Sequence, residues 1–247
     1  MIDINTLKIP VYDDIAVEGQ WFSSLGVYVA GTDGIELSLL PAKNITQTEI
    51  MGLSGASYSS GRFEPREIPL PIYISDISML EDFKKLIMFT EPKWIYFKNT
   101  NTKIKGVFTN AVKGKFKGIR GTFDLVLMAL DPYFYEVIPF NITYTNFVNP
   151  ILLNNTGNSN SFPVYEVTGK GTVVVGVNGQ VMTLRFNATV YETLVVNAKT
   201  CEVKLGNNNR FYSLDESDIP MLLSGQNTID VTGNCTMLKV IPNNRWI

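Results

Sequence analysis

Apolar and polar positions alternate through much of the chain. Ile68, Leu70, Ile72 and Ile74 are separated by Pro69, Pro71 and Tyr73, with Glu67 ahead of them. This is the two-residue period of a strand with one buried face. Each proline removes a ladder donor, so two in one strand predict a sheet edge. Further strands are expected at 107–108, 112–116 and 122–130, punctuated by Gly106, Gly114, Gly118 and Gly121. Later, 172–177 and 180–186 flank Asn178-Gly179. A type I′ turn needs positive φ at both central residues, so this dipeptide predicts a hairpin. Segments 193–196, 201–205, 227–231 and 237–241 complete a run of short strands. One segment has a different period. Met79, Leu80, Phe83, Leu86 and Ile87 recur at helical spacing, Ser78 and Glu81 offer a capping box, and Pro92 follows. The spacing predicts a single amphipathic helix over about 77–89. Three turns are not stable alone, so its apolar stripe should lie on a sheet.

A long apolar strand ends at Asp131-Pro132, and the aromatic run Tyr133-Phe134-Tyr135 opens a new series of strands with no helical period. This predicts a mainly β protein of two domains. Residues 1–131 form a β domain with one helix. Residues 132–247 form an all-β domain of about eight short strands, a sandwich or jelly roll. No repeat of 20–50 residues is evident.

Composition excludes much chemistry. The 247 residues include no histidine and two cysteines, Cys201 and Cys235. There is therefore no Ser-His-Asp or Cys-His catalysis, no histidine base near neutral pH and no His-ligated metal. Two cysteines alone build neither a structural zinc site nor an iron–sulfur cluster. In strand-like text they read as two buried thiols, and they could pair only from neighbouring strands. The glycine-rich run at 52–61 lacks the Gly-Lys-Ser/Thr of a phosphate loop and opens no helix. It reads as a flexible or partner-ordered loop. Asp215, Glu216 and Asp218 miss the EF-hand spacing. A glycosidase-type carboxylate pair cannot be located among 23 acids. The expectation is no catalytic residue, no cofactor and no metal. The N-terminal text carries neither a basic start nor an apolar run, and the longest clean apolar stretch is 125–130. Synthesis in a cytoplasm without membrane insertion is expected.

The formal net charge of −2 conceals an asymmetry. Lys98, Lys103, Lys105, Lys113, Lys115, Lys117 and Arg120 follow one another with no Asp or Glu between them. Lys113, Lys115 and Lys117 alternate, which in a strand puts them on one face. Two readings stand: a face aimed at a polyanion or an acidic partner, and a solvated hairpin whose lysines blunt a sheet edge. The candidate partner or lumen face is Lys103, Lys105, Lys113, Lys115, Lys117 and Arg120.

Several segments stand in a telling order. Gly61-Arg62-Phe63-Glu64-Pro65-Arg66-Glu67-Ile68-Pro69-Leu70 precedes the single helix. Phe123-Asp124-Leu125-Val126-Leu127-Met128-Ala129-Leu130-Asp131-Pro132-Tyr133-Phe134-Tyr135-Glu136 follows it. Then come Asn154-Asn155-Thr156-Gly157-Asn158, Phe162-Pro163-Val164-Tyr165-Glu166-Val167-Thr168-Gly169, Pro220-Met221-Leu222-Leu223-Ser224-Gly225-Gln226-Asn227-Thr228-Ile229, and Trp246 near the end. In this order and spacing the chain resembles the distal tail protein (Dit) family of long-tailed, non-contractile bacteriophages. The resemblance implies a split β-barrel-like N-terminal domain with one helix that builds a homohexameric ring, single or double. It implies a galectin-like C-terminal sandwich that projects outward. It further implies a virion tail-tip hub joining the tail tube and tape-measure proteins to the tail fibre or tail-associated lysin. A receptor-binding protein is a further implied partner, and DNA passes through the channel without sequence-specific binding. The family brings no catalytic residues. A ring needs head-to-tail interfaces that close, and sheet edges can supply them. Other readings are a lectin-like carbohydrate-binding module, a tail tube subunit, and a hydrolase with a carboxylate pair.

Overall fold

Alternation along residues 66–74 becomes burial in three dimensions: Ile68, Leu70, Ile72 and Ile74 are buried while Glu67 and Pro69 are exposed. A computed structural model describes residues 14–29, 40–49, 56–98, 100–109, 114–215 and 218–247. The chain divides into a first unit running to Val137 and a second from Ile138 to Trp246. Among the described residues the fold is mostly β, with one short helix.

In the first unit, β1 (Ile15–Val17), β2 (Gln20–Trp21), β3 (Val27–Val29), β4 (Lys43–Glu49), β5 (Ala56–Phe63) and β6 (Arg66–Ile74) precede α1 (Leu80–Ile87). Then come β7 (Lys93–Phe97), β8 (Thr102–Thr109), β9 (Lys115–Lys117), β10 (Arg120–Ala129) and β11 (Phe134–Glu136). Neighbours run β2-β1-β7-β8-β10-β6-β3, and the sheet curls into a half-barrel. β4 and β5 pair separately as an antiparallel hairpin. β6 pairs with β10 along its whole length, but β3 covers it only at Ile72–Ile74. The edge expected from the prolines is therefore partial. Among the described strands, Pro69 and Pro71 have a neighbour on one side only, where a missing donor costs least.

The inner face collects Leu125, Leu127 and Ala129 of β10, Ile104 of β8, Ile95 and Phe97 of β7, and Ile15 and Val17 of β1. The helix lies against aromatic rings. Phe83 is fully buried, 4.9 Å centroid to centroid from Phe22 and 5.8 Å from Phe123. The predicted 77–89 helix is shorter and capped differently. A 3-10 turn over Ile77–Met79 precedes α1, and the Asp76 carboxylate, not Ser78, accepts the backbone N–H, from Ser78 at 2.9 Å. Glu81 instead pairs with Lys84, and Met79 is exposed.

The second unit contains β12 (Ile142–Tyr144), β13 (Ile151–Asn155), β14 (Val164–Val177), β15 (Gln180–Arg185), β16 (Glu192–Asn197), β17 (Glu202–Leu205), β18 (Asn208–Asn209) and β19 (Gly225–Ile241). β14 and β19 pair antiparallel from Val164↔Ile241 to Val177↔Ile229. One half of this ribbon carries β12 beside β19 and β16 beside β14. The other half carries β13 beside β19 and β15 beside β14. Side chains from both halves form one core: Tyr165, Val167, Leu194, Leu238 and Val240 from the first, Val173, Val175, Met182, Leu184, Ile229 and Val231 from the second. A single ribbon thus bends into both layers of a sandwich.

The bend is written in the register. Between Thr168↔Met237 and Gly169↔Cys235, β19 carries one extra residue, Thr236; between Lys170↔Asn234 and Val173↔Gly233, β14 carries Gly171 and Thr172. One extra residue flips side-chain parity, so β19 buries even positions Leu238 and Val240 but odd positions Ile229 and Val231. Gly233 sits at the corner with φ +92°, where a Cβ would collide with the Thr172 carbonyl. The expected pair of short strands, 227–231 and 237–241, is thus one strand that bends. The Asn178-Gly179 hairpin is as predicted, with φ of 50° and 85° and Val177 opposite Gln180.

Candidate interaction surface

The candidate basic residues lie on β8, β9 and β10, and the register decides which of them share a face. On β10, Gly121 opposes Ile74 and Phe116, and Leu127 opposes Ile68 and Phe108. Ile68, Ile74 and Leu127 are buried, so this side faces the core. The alternate positions face outward: Lys115 opposite Thr122, Lys117 opposite Arg120, Val107 opposite Met128. Counting in twos from Val107 puts Lys105 and Lys103 on the same outer side, with Ile104 and Gly106 buried between and after them. Lys103, Lys105, Lys115, Lys117 and Arg120 therefore share the outer face of one curled sheet. Lys113 lies outside the described residues.

These residues are not equivalent. Lys103 is part of the framework. Its Nζ donates to the Val137 carbonyl at 3.0 Å and stands 4.9 Å from the Trp94 ring centroid, and burial lowers its pKa. Trp94 in turn meets Tyr135 edge-on at 5.5 Å. Lys105, Lys115, Lys117 and Arg120 are exposed. Lys117 faces Arg120 directly across the β9–β10 hairpin, and like charges placed opposite one another repel. An anion between them would relieve that repulsion. Gly118, at φ +64°, makes the turn beside Ile119, whose side chain is 62% exposed. The Ile119 carbonyl accepts from Ile77 N–H at 2.7 Å, tying the tip to the turn before α1. The hairpin thus presents an apolar tip flanked by cations on a fixed backbone.

The stretch without acids does not become a face without acids. Glu67 opposes Met128 and Asp124 opposes Pro71, so both exposed carboxylates share the outer side with the lysines. Sheet formation brought them there from outside the 98–120 window.

Other candidates resolve as follows. Of the glycine-rich 52–61 run, 56–61 belongs to strand β5 rather than a loop, and 52–55 lies outside the described residues. Asp215 pairs with Arg185 at 2.7 Å, and Glu216 lies outside the described residues. Among the described residues no group of three or more Cys, Asp or Glu could hold a metal, and no helix is long and apolar enough to cross a membrane. Both cysteines are free. Cys201 is exposed at φ 54°, at the turn before β17, not a buried thiol. Cys235 is half-buried at the ribbon bend, where burial raises its pKa. Sequence reasoning also passed over a polar pocket in the second unit. Its residues are spread from Arg185 to Ser213, and the only hint is the paired text Arg185-Phe186-Asn187 and Arg210-Phe211-Tyr212.

No family model and no curated protein sequence matches the chain. Solved structures do. The crystal structure of the SPP1 Dit (gp 19.1) protein superimposes with a TM-score of 0.76, covering 95% of this chain and 99% of that one at 14% identity. The fold is that of SPP1 Dit. That protein is described as a paradigm of the hub adsorption apparatus in phages infecting Gram-positive hosts. A chain of the phage p2 baseplate, in its activated conformation with Sr, matches at a TM-score of 0.51 over 92% of this chain and 96% of that one, at 8% identity. The SPP1 Dit match spans both units in their order along the chain, in agreement with the mainly β, one-helix architecture read from the sequence.

Proposed function

We propose that this chain is a structural subunit of a bacteriophage tail tip: a distal tail protein whose first unit builds a homohexameric ring and whose second unit projects from it. In this reading the ring joins the tail tube and tape-measure proteins to the tail fibre or tail-associated lysin, with a receptor-binding protein as a further partner. The basic residues Lys105, Lys113, Lys115, Lys117 and Arg120 line the lumen, where DNA passes, or meet an acidic partner. The observation that supports it is the match to SPP1 Dit over nearly the whole of both chains, a protein described as a phage adsorption hub. The p2 baseplate chain points to the same kind of assembly. The fixed β9–β10 hairpin tip, and the stretch of β6 that has one neighbour among the described strands, are surfaces through which β-rich subunits associate.

Negative-stain microscopy and light scattering of the purified full-length protein test this. Sixfold rings, single or paired, are expected. Extended tubes would identify a tail tube subunit instead, and monomers at every concentration would sink the ring.

A further inference from the structure

The second unit carries an open pocket of about 380 Å³ that the ring does not explain. Arg185 at the end of β15 and Asn187 just beyond it form one side, and Glu192 at the start of β16 another. Arg210, Tyr212 and Ser213 close it from the 3-10 turn after β18. The volume falls within the range of small-molecule sites.

Charge in this pocket is already matched. Arg185 Nε lies 2.7 Å from the Asp215 carboxylate, and Arg210 lies 3.7 Å from Glu192. A free anion or cation meets no unmatched charge here. What remains is an array of hydrogen-bonding groups fixed in place. Glu192 Oε2 accepts from Asn187 N–H at 3.1 Å, and Arg210 N–H donates to the Val203 carbonyl at 2.7 Å. The Arg210 guanidinium donates to the Tyr212 hydroxyl, its central carbon 5.4 Å from that ring's centroid. Asn187 Oδ1 caps its own loop, accepting from Thr189 N–H at 2.9 Å and Val190 N–H at 3.3 Å. The Tyr212 side chain is held at its hydroxyl, yet the residue is 71% exposed.

The site therefore offers ionised donors and acceptors with no net charge to satisfy, beside an open aromatic surface. Hydroxyl groups can donate to the carboxylates and accept from the guanidinium forks at once, through charge-assisted hydrogen bonds. The C–H face of a sugar ring complements the tyrosine. We propose that this pocket binds a neutral saccharide, with Arg210 and Glu192 reading hydroxyls and Tyr212 supporting the ring. The inference does not depend on the hexamer: the pocket lies within one unit and is expected to work in a monomer or a ring.

Saturation-transfer NMR and calorimetric titration of the full-length protein provide the test, with maltotriose, cellotriose, chitotriose and lactose as neutral probes and glucose 6-phosphate beside glucose as the charged comparison. Binding of at least one neutral saccharide is expected, weakened about tenfold or more in Tyr212→Ala and Arg210→Lys. The melting temperature of Tyr212→Ala should be unchanged, because the residue is exposed. Absence of binding to all four neutral probes overturns the proposal. So does binding that survives both substitutions, or tighter binding of glucose 6-phosphate than of glucose.

Discussion

Asn178 and Asn227 lock the tip of the β14–β15 hairpin to the start of β19. Asn178 Nδ2 donates to Asn227 Oδ1 at 2.6 Å, and Asn178 Oδ1 accepts from Thr228 N–H at 2.9 Å. Asn227 is fully buried, and all its polar capacity is used: Nδ2 donates to the carbonyls of Leu223 at 2.9 Å and Gly225 at 2.8 Å, while Oδ1 also accepts from Leu223 N–H at 2.8 Å.

Asn227→Ala leaves these partners facing a buried hole. Each orphaned buried group costs about 1–3 kcal/mol, partly recovered by relaxation. A loss of about 3 kcal/mol in the second unit is expected in urea unfolding. Asn178→Ala should cost less, about 1–2 kcal/mol, since Asn178 is exposed and its loss also strains a positive-φ turn.

The ribbon corner makes a sharper prediction. Gly233→Ala combines φ +92° with a collision against the Thr172 carbonyl, whereas Gly206, at φ +58°, has open space around its missing side chain. Gly206→Ala should cost about 1 kcal/mol. Gly233→Ala should cost more than about 3 kcal/mol or prevent the second unit from folding. Equal melting temperatures for the two variants would contradict the tight corner.

In the first unit, Phe83→Ala removes the ring that fills the space between Phe22 and Phe123. A loss of about 3–5 kcal/mol is expected, the usual range for a buried Phe. Met88→Ala, one residue past the helix and 78% exposed, should be nearly silent in the same denaturation curves.

The two thiols should separate with pH. Cys201 is exposed and should react with a maleimide at neutral pH. Burial raises the Cys235 pKa and outweighs the backbone hydrogen bond at Met237, which lowers it, so its thiolate fraction lags. Labelling of Cys235 is expected only as pH rises past the ordinary thiol value of about 8.5. The linkage has the same sign. The folded state holds this proton more tightly than the unfolded state, so the contribution is complete below the ordinary value and is lost as pH climbs through the raised one. Mass spectrometry of Cys201→Ser and Cys235→Ser resolves the two sites.

The basic face gives a prediction on assembly. Lys115→Ala, Lys117→Ala and Arg120→Ala together remove exposed charges, one opposed pair among them. The melting temperature should hold or rise slightly, because the repulsion between Lys117 and Arg120 goes with them. Salt dependence of assembly or of partner contact should flatten. Assembly that remains equally salt-sensitive would assign these residues to solvent alone.

The features legible in the sequence are those specified by neighbouring residues. Asn178-Gly179 predicted its hairpin because positive φ is a local demand, and the Ile68–Ile74 alternation predicted burial because strand parity is local. The bend at Gly233 was not legible. A glycine within strand text looks like a stop, and only the pairing of β14 with β19 turns it into a corner. The shared outer face of Lys105 and Lys115 follows from register across β10, as does the arrival there of Glu67 and Asp124. The pocket is harder still to read, since Arg185 and Arg210 come to line it only after the chain has passed through β16 and the two reversals β16–β17 and β17–β18. The cap at Asp76 lies two residues ahead of the expected box because a 3-10 turn, invisible to a period of 3.6, precedes the helix.

Finally, β12 pairs with the far end of β19, Ile142 against Val240 and Tyr144 against Leu238. The chain thus begins and completes the second unit at adjacent positions, with opposed Cα atoms about 5 Å apart. Such a unit is a cassette. Everything between Ile142 and Val240 can be enlarged, traded or re-tipped without moving the two ends of the unit apart.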